Sequence, residues 1–221
     1  DIIRNDTLRG DDLYQFLFHS FKRIFENTII NPAVYIFHAS STQMIYETAL
    51  NDAGLEVKEQ IIWNKGMVLG HSDYHWSHEP VFYVRKKDNN NNWYGDRKHK
   101  TILRQDKIDL NKFKKDELIQ IIKSIIDDST VWEIKKDSVQ TYKHPTQKPV
   151  DLSLKAIINN TLSGMGVLDT FLGSGSTLIA CEKTGRKCYG MEIDAHYCDV
   201  IVKRWEEYTG NKAERFEAAS A

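Results

Sequence analysis

Two acids with a pair of glycines between them carry the densest chemical signal in this 221-residue chain. The stretch Asp169-Thr-Phe-Leu-Gly-Ser-Gly-Ser-Thr177 follows a short apolar run, and about 20 residues on a second β-prone run ends in Glu192-Ile-Asp194. A strand that delivers the chain to such a loop needs Gly173 and Gly175 for a sharp turn and a close backbone approach to a ligand. The helix that follows offers unsatisfied N–H groups to a carboxylate or another anion. Asp169 is placed to hold a cationic amino group, and an acid at the position of Glu192 can accept hydrogen bonds from ribose hydroxyls. The G-x-G spacing is not the G-x-G-x-x-G of a dinucleotide site, and no G-x-x-x-x-G-K-[ST] loop for a triphosphate occurs. A ligand that combines ribose, amino and carboxylate groups fits this set best.

The elements that must position these residues can be read from periodicity. Apolar residues at helical spacing predict a helix over Leu13–Phe25, and Ala33–Phe37 predicts a buried strand. A helix over Ser41–Asn51, with Gly54 as its stop signal, precedes strands over Glu56–Trp63 and Pro80–Arg85. The run Asn89–Asn92 predicts a loop, and Lys112–Asp128 an amphipathic helix. Val131–Ile134 reads as a short strand and Val150–Asn160 as a helix. The last part is the most regular: strand Gly166–Leu168, helix Ser176–Thr184, strand Lys187–Ile193 and helix His196–Tyr208. That order is a nucleotide-type α/β unit.

Composition bounds the class. With 41% apolar and 28% charged residues the chain reads as an ordinary globular domain, and no apolar run is long enough to span a bilayer. The start is polar, without the apolar stretch of a signal peptide, so a cytoplasmic protein is expected. Cys181, Cys188 and Cys198 are odd in number and form no CxxC pair. They predict reduced thiols packed as small apolar groups, with no metal site. Net charge is -1, yet Val81–Val150 holds 16 Lys plus Arg against 10 Asp plus Glu. Such a basic stretch suits phosphate contact or, more plainly, a solvated surface.

A second motif narrows the reading. DTFLGSGST resembles the D-x-F-x-G-S-G-T motif of DNA amino-methyltransferases, and His144-Pro-Thr-Gln-Lys-Pro149 resembles their H-P-T-x-K-P motif. The order of the two is that of the family's β-type circular arrangement. The resemblance implies a Rossmann-like α/β methyltransferase fold with a mostly parallel sheet, circularly permuted motif order and a small helical insertion. It implies S-adenosylmethionine as the methyl donor, held by His144, Thr146, Lys148, Asp169, Phe171, Gly173, Ser174, Gly175, Thr177 and Glu192. Asp169 would take the amino group, Glu192 the ribose, Thr146 and Lys148 the methionine end, and Phe171 would supply an apolar wall.

The stretch from Ile61 to Lys87 resembles the family's substrate side. Trp63, Lys65, Tyr74, His78 and Glu79 would face the target base, with Trp63, Tyr74, His75 and Trp76 as an aromatic cluster. Chemistry on an amino group in a duplex requires the base to leave the stack, and a flipped base needs π faces and polar edges around it. The plainer alternative makes Trp63 and Tyr74 core residues and His78–Glu79 a structural pair. Trp93-Tyr-Gly-Asp-Arg97 and Thr130-Val-Trp-Glu-Ile134 resemble patterns of phage-type members, and the insertion between them is where such members recognise their target. Arg97, Lys98, Lys100 and Arg104 would contact phosphates, which position rather than specify.

The expected partner is double-stranded DNA, with no membrane and with room for a homodimer. The expected division is residues 1–88 as the substrate-side half, 89–143 as the insertion, 144–209 as the cofactor half and 210–221 as a tail. The family's catalytic Asp-Pro-Pro-Tyr does not occur: the four prolines are Pro32, Pro80, Pro145 and Pro149, none adjacent. In the β-type order that segment is expected just before Asp1, so no catalytic residue is assigned here and the chain by itself is not expected to methylate DNA. The WYGDR and TVWEI patterns favour N6 of adenine as the target. N4 of cytosine, a non-catalytic cofactor- and DNA-binding module, and a nicotinamide-dependent oxidoreductase are the rivals.

Overall fold

The computed structural model describes residues 7–65, 77–90, 92–95, 131–134 and 147–216. The chain divides into two compact units, Asp1–Lys135 and Lys136–Ala221. No helix among the described residues is long and apolar enough to cross a membrane.

In the first unit α1 (Gly10–Asn27), β1 (Val34–Phe37), a 3-10 turn (Ser40–Thr42), α2 (Gln43–Asp52), β2 (Leu55–Asn64), β3 (His78–Lys86) and β4 (Val131–Glu133) follow in order. The strands form one sheet in the order β1-β3-β2-β4. β3 runs antiparallel to both β1 and β2, and β2 runs parallel to β4. A bulge between Val57 and Glu59 leaves Lys58 out of register, where its amine pairs with Glu56 at 2.6 Å.

β3 lies between two neighbours and is buried on both faces. Phe82 and Val84 join Leu13, Leu17, Phe21 and Ile24 of α1 and Ala49 and Leu50 of α2 in one core. These α1 residues recur every three or four positions, as an amphipathic helix requires. On the next residues of β3 the side chains alternate to the other face. There Tyr83 meets Tyr35 (ring centroids 5.1 Å apart) and Trp93, and Tyr35 meets Trp132. Lys86 is buried but satisfied: its amine donates to the Thr28 carbonyl at 2.9 Å and lies over the Phe25 ring.

The second unit comprises α3 (Val150–Asn160), β5 (Gly166–Asp169), α4 (Ser176–Thr184), β6 (Lys187–Gly190) and α5 (Ala195–Thr209). β5 and β6 pair in parallel, which demands the α4 crossover. One buried cluster holds Ile157, Ala180 and Cys181, with Val150, Leu154, Val167 and Cys188 packed against them, and Leu152, Ile179 and Ile201 are buried as well. Gly185 closes α4 in the left-handed conformation (φ 66°). Arg186 then ties the chain down, donating to the carbonyls of Thr161 and Thr184.

The α/β class stands, and the pairing is mixed. Two antiparallel ladders accompany two parallel ones, because β1 as well as β2 pairs antiparallel with β3. β6 is shorter than expected, ending at Gly190 rather than Ile193. Of the cysteines, Cys181 is buried and Cys188 half-buried, but Cys198 is exposed. The contact with Cys181 and burial push the Cys188 thiol well up, which disfavours the reactive thiolate. The helix expected over Lys112–Asp128 lies outside the described residues.

Candidate functional site

In the second unit the β5 strand ends on Asp169, as the spacing predicts. The chain then turns through the glycine loop, with Gly173 and Gly175 both at positive φ (55° and 81°), and α4 begins at Ser176. Glycine is favoured at 175 because the conformation is left-handed; a Cβ there would make only ordinary contact, 3.4 Å from Ile201. The turn beyond β6 is laced to this loop. The Met191 amide donates to the Asp169 carbonyl and the Leu172 amide to the Met191 carbonyl, both at 2.9 Å.

Glu192 stands in that turn, two residues past the end of β6, and not on the strand as expected. The backbone crossing at Met191 draws it out of the ladder. Its Oε2 accepts the Gly173 amide at 2.8 Å, and its Oε1 accepts those of Ile193 and Asp194 at 2.9 and 3.0 Å. Asp169 Oδ1 accepts the Phe171 amide at 3.0 Å. Two carboxylates therefore flank one glycine loop, each fixed by main-chain donors. Phe171, Met191 and Ile193 are exposed beside them. Asp194 caps α5, accepting the His196 amide at 2.9 Å.

Lys148 is brought to the same loop, since its carbonyl accepts Ser176 Oγ at 2.6 Å. Ser153 Oγ and Thr177 Oγ1 share a hydrogen bond of 3.2 Å, so Thr177 turns toward α3. Ser174 is buried rather than open to a ligand. His144 and Thr146 lie outside the described residues. Arg204, on α5, bonds to Ser174 and Ser176 and escaped the sequence reading. It sits in an ordinary amphipathic helix with no motif around it.

In the first unit the carboxyl ends of β1, β2 and β4 share one sheet edge, together with the start of β3. That is the edge at which open α/β sheets hold ligands. It carries His38, Lys65, His78 and Glu79. Lys65 Nζ lies 2.6 Å from Glu79 Oε2, both side chains about four-fifths buried, and 5.3 Å from the centre of the Trp63 ring. The Lys65 amide also donates to the Ser77 carbonyl at 2.7 Å, closing the hairpin mouth. Trp63 itself is only 1% exposed, and its Nε1 donates to the Ile134 carbonyl at 2.8 Å. It is a wall under this edge, not a face open to a base, because pairing of β2 with β4 sets it beside Trp132. Tyr74 and Arg97 lie outside the described residues.

His38 is buried at the end of β1, its ring tilted against that of Phe82 with centroids 4.1 Å apart, and with Nδ1 3.2 Å from the Ala39 carbonyl. Its Nε2 has no hydrogen-bond partner among the described residues. Burial holds its pKa below the usual 6.5, against the opposing pull of the Ala39 carbonyl and of Glu79 and Glu47.

A glycine loop between two carboxylates, on a parallel β-α-β-α unit, is the arrangement of a nucleotide-type α/β unit. Residues 3–203 match the DNA methylase family that joins N6 and N4 enzymes, and the chain belongs to that family. It is 28% identical over 183 residues to the type II methyltransferase M2.DpnII of Streptococcus pneumoniae, a match covering 80% of this chain and 62% of the relative. The chain thus spans less than two thirds of the length of curated relatives such as this one. Its fold resembles that of M1.HpyAVI, solved as a complex with S-adenosylmethionine (TM-score 0.66, 23% identity, 89% of this chain and 85% of that one). It also resembles the cytosine-N4-specific PvuII DNA methyltransferase (TM-score 0.65, 12% identity, 93% and 76%).

Proposed function

We propose that this chain carries the S-adenosylmethionine site and the base-facing edge of a DNA methyltransferase that acts on N6 of adenine. The observation that carries the reading is the glycine loop with Asp169 and Glu192 fixed on either side of it. Its donor set fits the cofactor. Asp169 spends one oxygen on Phe171 and keeps lone pairs for a cationic amino group. Glu192 accepts three amides, and a carboxylate offers about four lone-pair sites, which leaves room for a ribose hydroxyl. Exposed Phe171 supplies an apolar wall, and His144, Thr146 and Lys148 are assigned to the methionine end by resemblance.

When bound, the cofactor supplies an electrophilic methyl group on a sulfonium. An exocyclic amino nitrogen is a weak nucleophile, because its lone pair is delocalised into the base. The protein's task is to orient that nitrogen and to exclude competing water. The Lys65–Glu79 pair supplies polar edges at the substrate side, and the shielding of this pair from solvent strengthens its field. Double-stranded DNA with the target base flipped out is the substrate this reading requires.

Adenine is favoured by the WYGDR and TVWEI patterns. Nucleoside analysis of DNA from cells expressing the complete reading frame tests the assignment. N6-methyladenine is expected, N4-methylcytosine would replace adenine by cytosine, and neither product would contradict the reading.

A further inference from the structure

The glycine loop is gripped by a side chain that no motif marks. Arg204 stands on α5, in the residue just past the stretch that matches the family. Its Nη1 donates to the Ser174 carbonyl at 3.0 Å, to Ser174 Oγ at 3.2 Å and to Ser176 Oγ at 3.3 Å. Both serines are buried, 4% and 7% exposed. One turn earlier on the same helix Ile201 lies where a Cβ on Gly175 would touch it. From the other side Glu192 holds the Gly173 amide. Residues 173 to 176 are thereby clasped between α5 and the turn after β6.

Such a clasp answers a need that the sequence of the loop creates. Two glycines in left-handed conformations lose more backbone freedom on ordering than any other residue would. A loop built on them keeps one shape only if its neighbours impose it. The electrostatics point the same way. A cation beside the N-terminal turn of α4 faces the positive end of that helix, so attraction to the helix does not explain its position. Oxygen acceptors on the loop help hold the guanidinium there.

We propose that Arg204 is a positioning residue, which fixes the loop over residues 173 to 176 in the shape that accepts the cofactor and so sets cofactor affinity without touching the ligand. The inference rests on the reading of this loop as the S-adenosylmethionine site. Three variants test it: Arg204→Met, Arg204→Lys, and Lys203→Ala as a control, since Lys203 is exposed and 3.9 Å from Glu207. Calorimetry gives the dissociation constant for S-adenosylmethionine. Amide hydrogen exchange without ligand compares residues 173–176 with α3.

Arg204→Met is expected to weaken binding about tenfold, and Lys to restore part of the loss by supplying one flexible donor. Exchange should quicken in the loop and not in α3, and Lys203→Ala should match the parent. Arg204→Met with parental affinity and parental loop exchange would overturn the proposal. So would equal quickening in α3, which would make Arg204 a support of the whole unit. A parent chain that does not bind S-adenosylmethionine would overturn the cofactor reading and this inference together, whereas a parent that binds while Arg204→Met binds equally well overturns this inference alone.

Discussion

The β1–β4 sheet and the β5–β6 pair both present strand ends with charged residues, yet the two are held by different forces. At the sheet edge, Lys65 and Glu79 are placed by pairing between strands and by a deep core of Phe21, Leu50, Leu55 and Phe82. At the β5–β6 pair, Asp169 and Glu192 are placed by hydrogen bonds from main-chain amides. The first arrangement makes geometry a consequence of packing. The second makes it a consequence of a few directed contacts. Damage to the sheet edge should therefore register as lost stability, and damage to the glycine loop as lost affinity for the proposed cofactor.

The largest expected effect is on packing. Phe82→Ala removes a ring that is 2% exposed and in contact with His38, and should cost about 3–5 kcal/mol of stability by denaturant unfolding. A cost below about 1 kcal/mol would break the contrast between the two regions, because the sheet would then not depend on its core. Next comes Asp169→Ala, which should weaken S-adenosylmethionine binding by about 1.5–3 kcal/mol through loss of a charge-assisted contact. The unfolding midpoint should change little, since among the described residues the carboxylate accepts only the Phe171 amide. A large loss of stability with parental affinity would reverse the roles assigned to the two regions.

The smallest effect concerns pH. His38 has its folded-state pKa lowered by burial, so the folded state resists protonation more than the unfolded state does. Its contribution is fully present above the ordinary histidine value of 6.5 and is lost as pH falls below it, levelling off under the folded value. Glu79 and Glu47 face the ring and limit the shift. Thermal melts of the parent should show a decline through this window, and His38→Phe should flatten it. A variant with the same pH slope as the parent would remove His38 as the cause.

How much was legible in the sequence follows the same division. The second unit is closely legible because its determinants are local. Pro149 ahead of Val150 and the glycines at 175 and 185 bracket α3 and α4, and both helices fall where expected. β6 was read too long because Met191 and Ile193 are β-prone by type. The contacts that draw them out of the ladder come from Asp169 and Leu172, residues earlier in the chain. Trp63 was expected to offer a face to the base. Its burial comes from Trp132 and Ile134, about seventy positions away, and no local pattern carries that contact. Arg204 was missed for the same reason. Its partners lie about thirty residues earlier, and its own helix gives it no distinguishing neighbour.

The central claim is that the loop between Asp169 and Glu192 is an S-adenosylmethionine site and not a dinucleotide site. Calorimetric titration of the chain with S-adenosylmethionine and, separately, with NAD tests it most directly. One equivalent of S-adenosylmethionine should bind, Asp169→Ala should weaken that binding, and NAD should give no heat beyond dilution. Saturable binding of NAD, or S-adenosylmethionine binding that Asp169→Ala leaves intact, would contradict it.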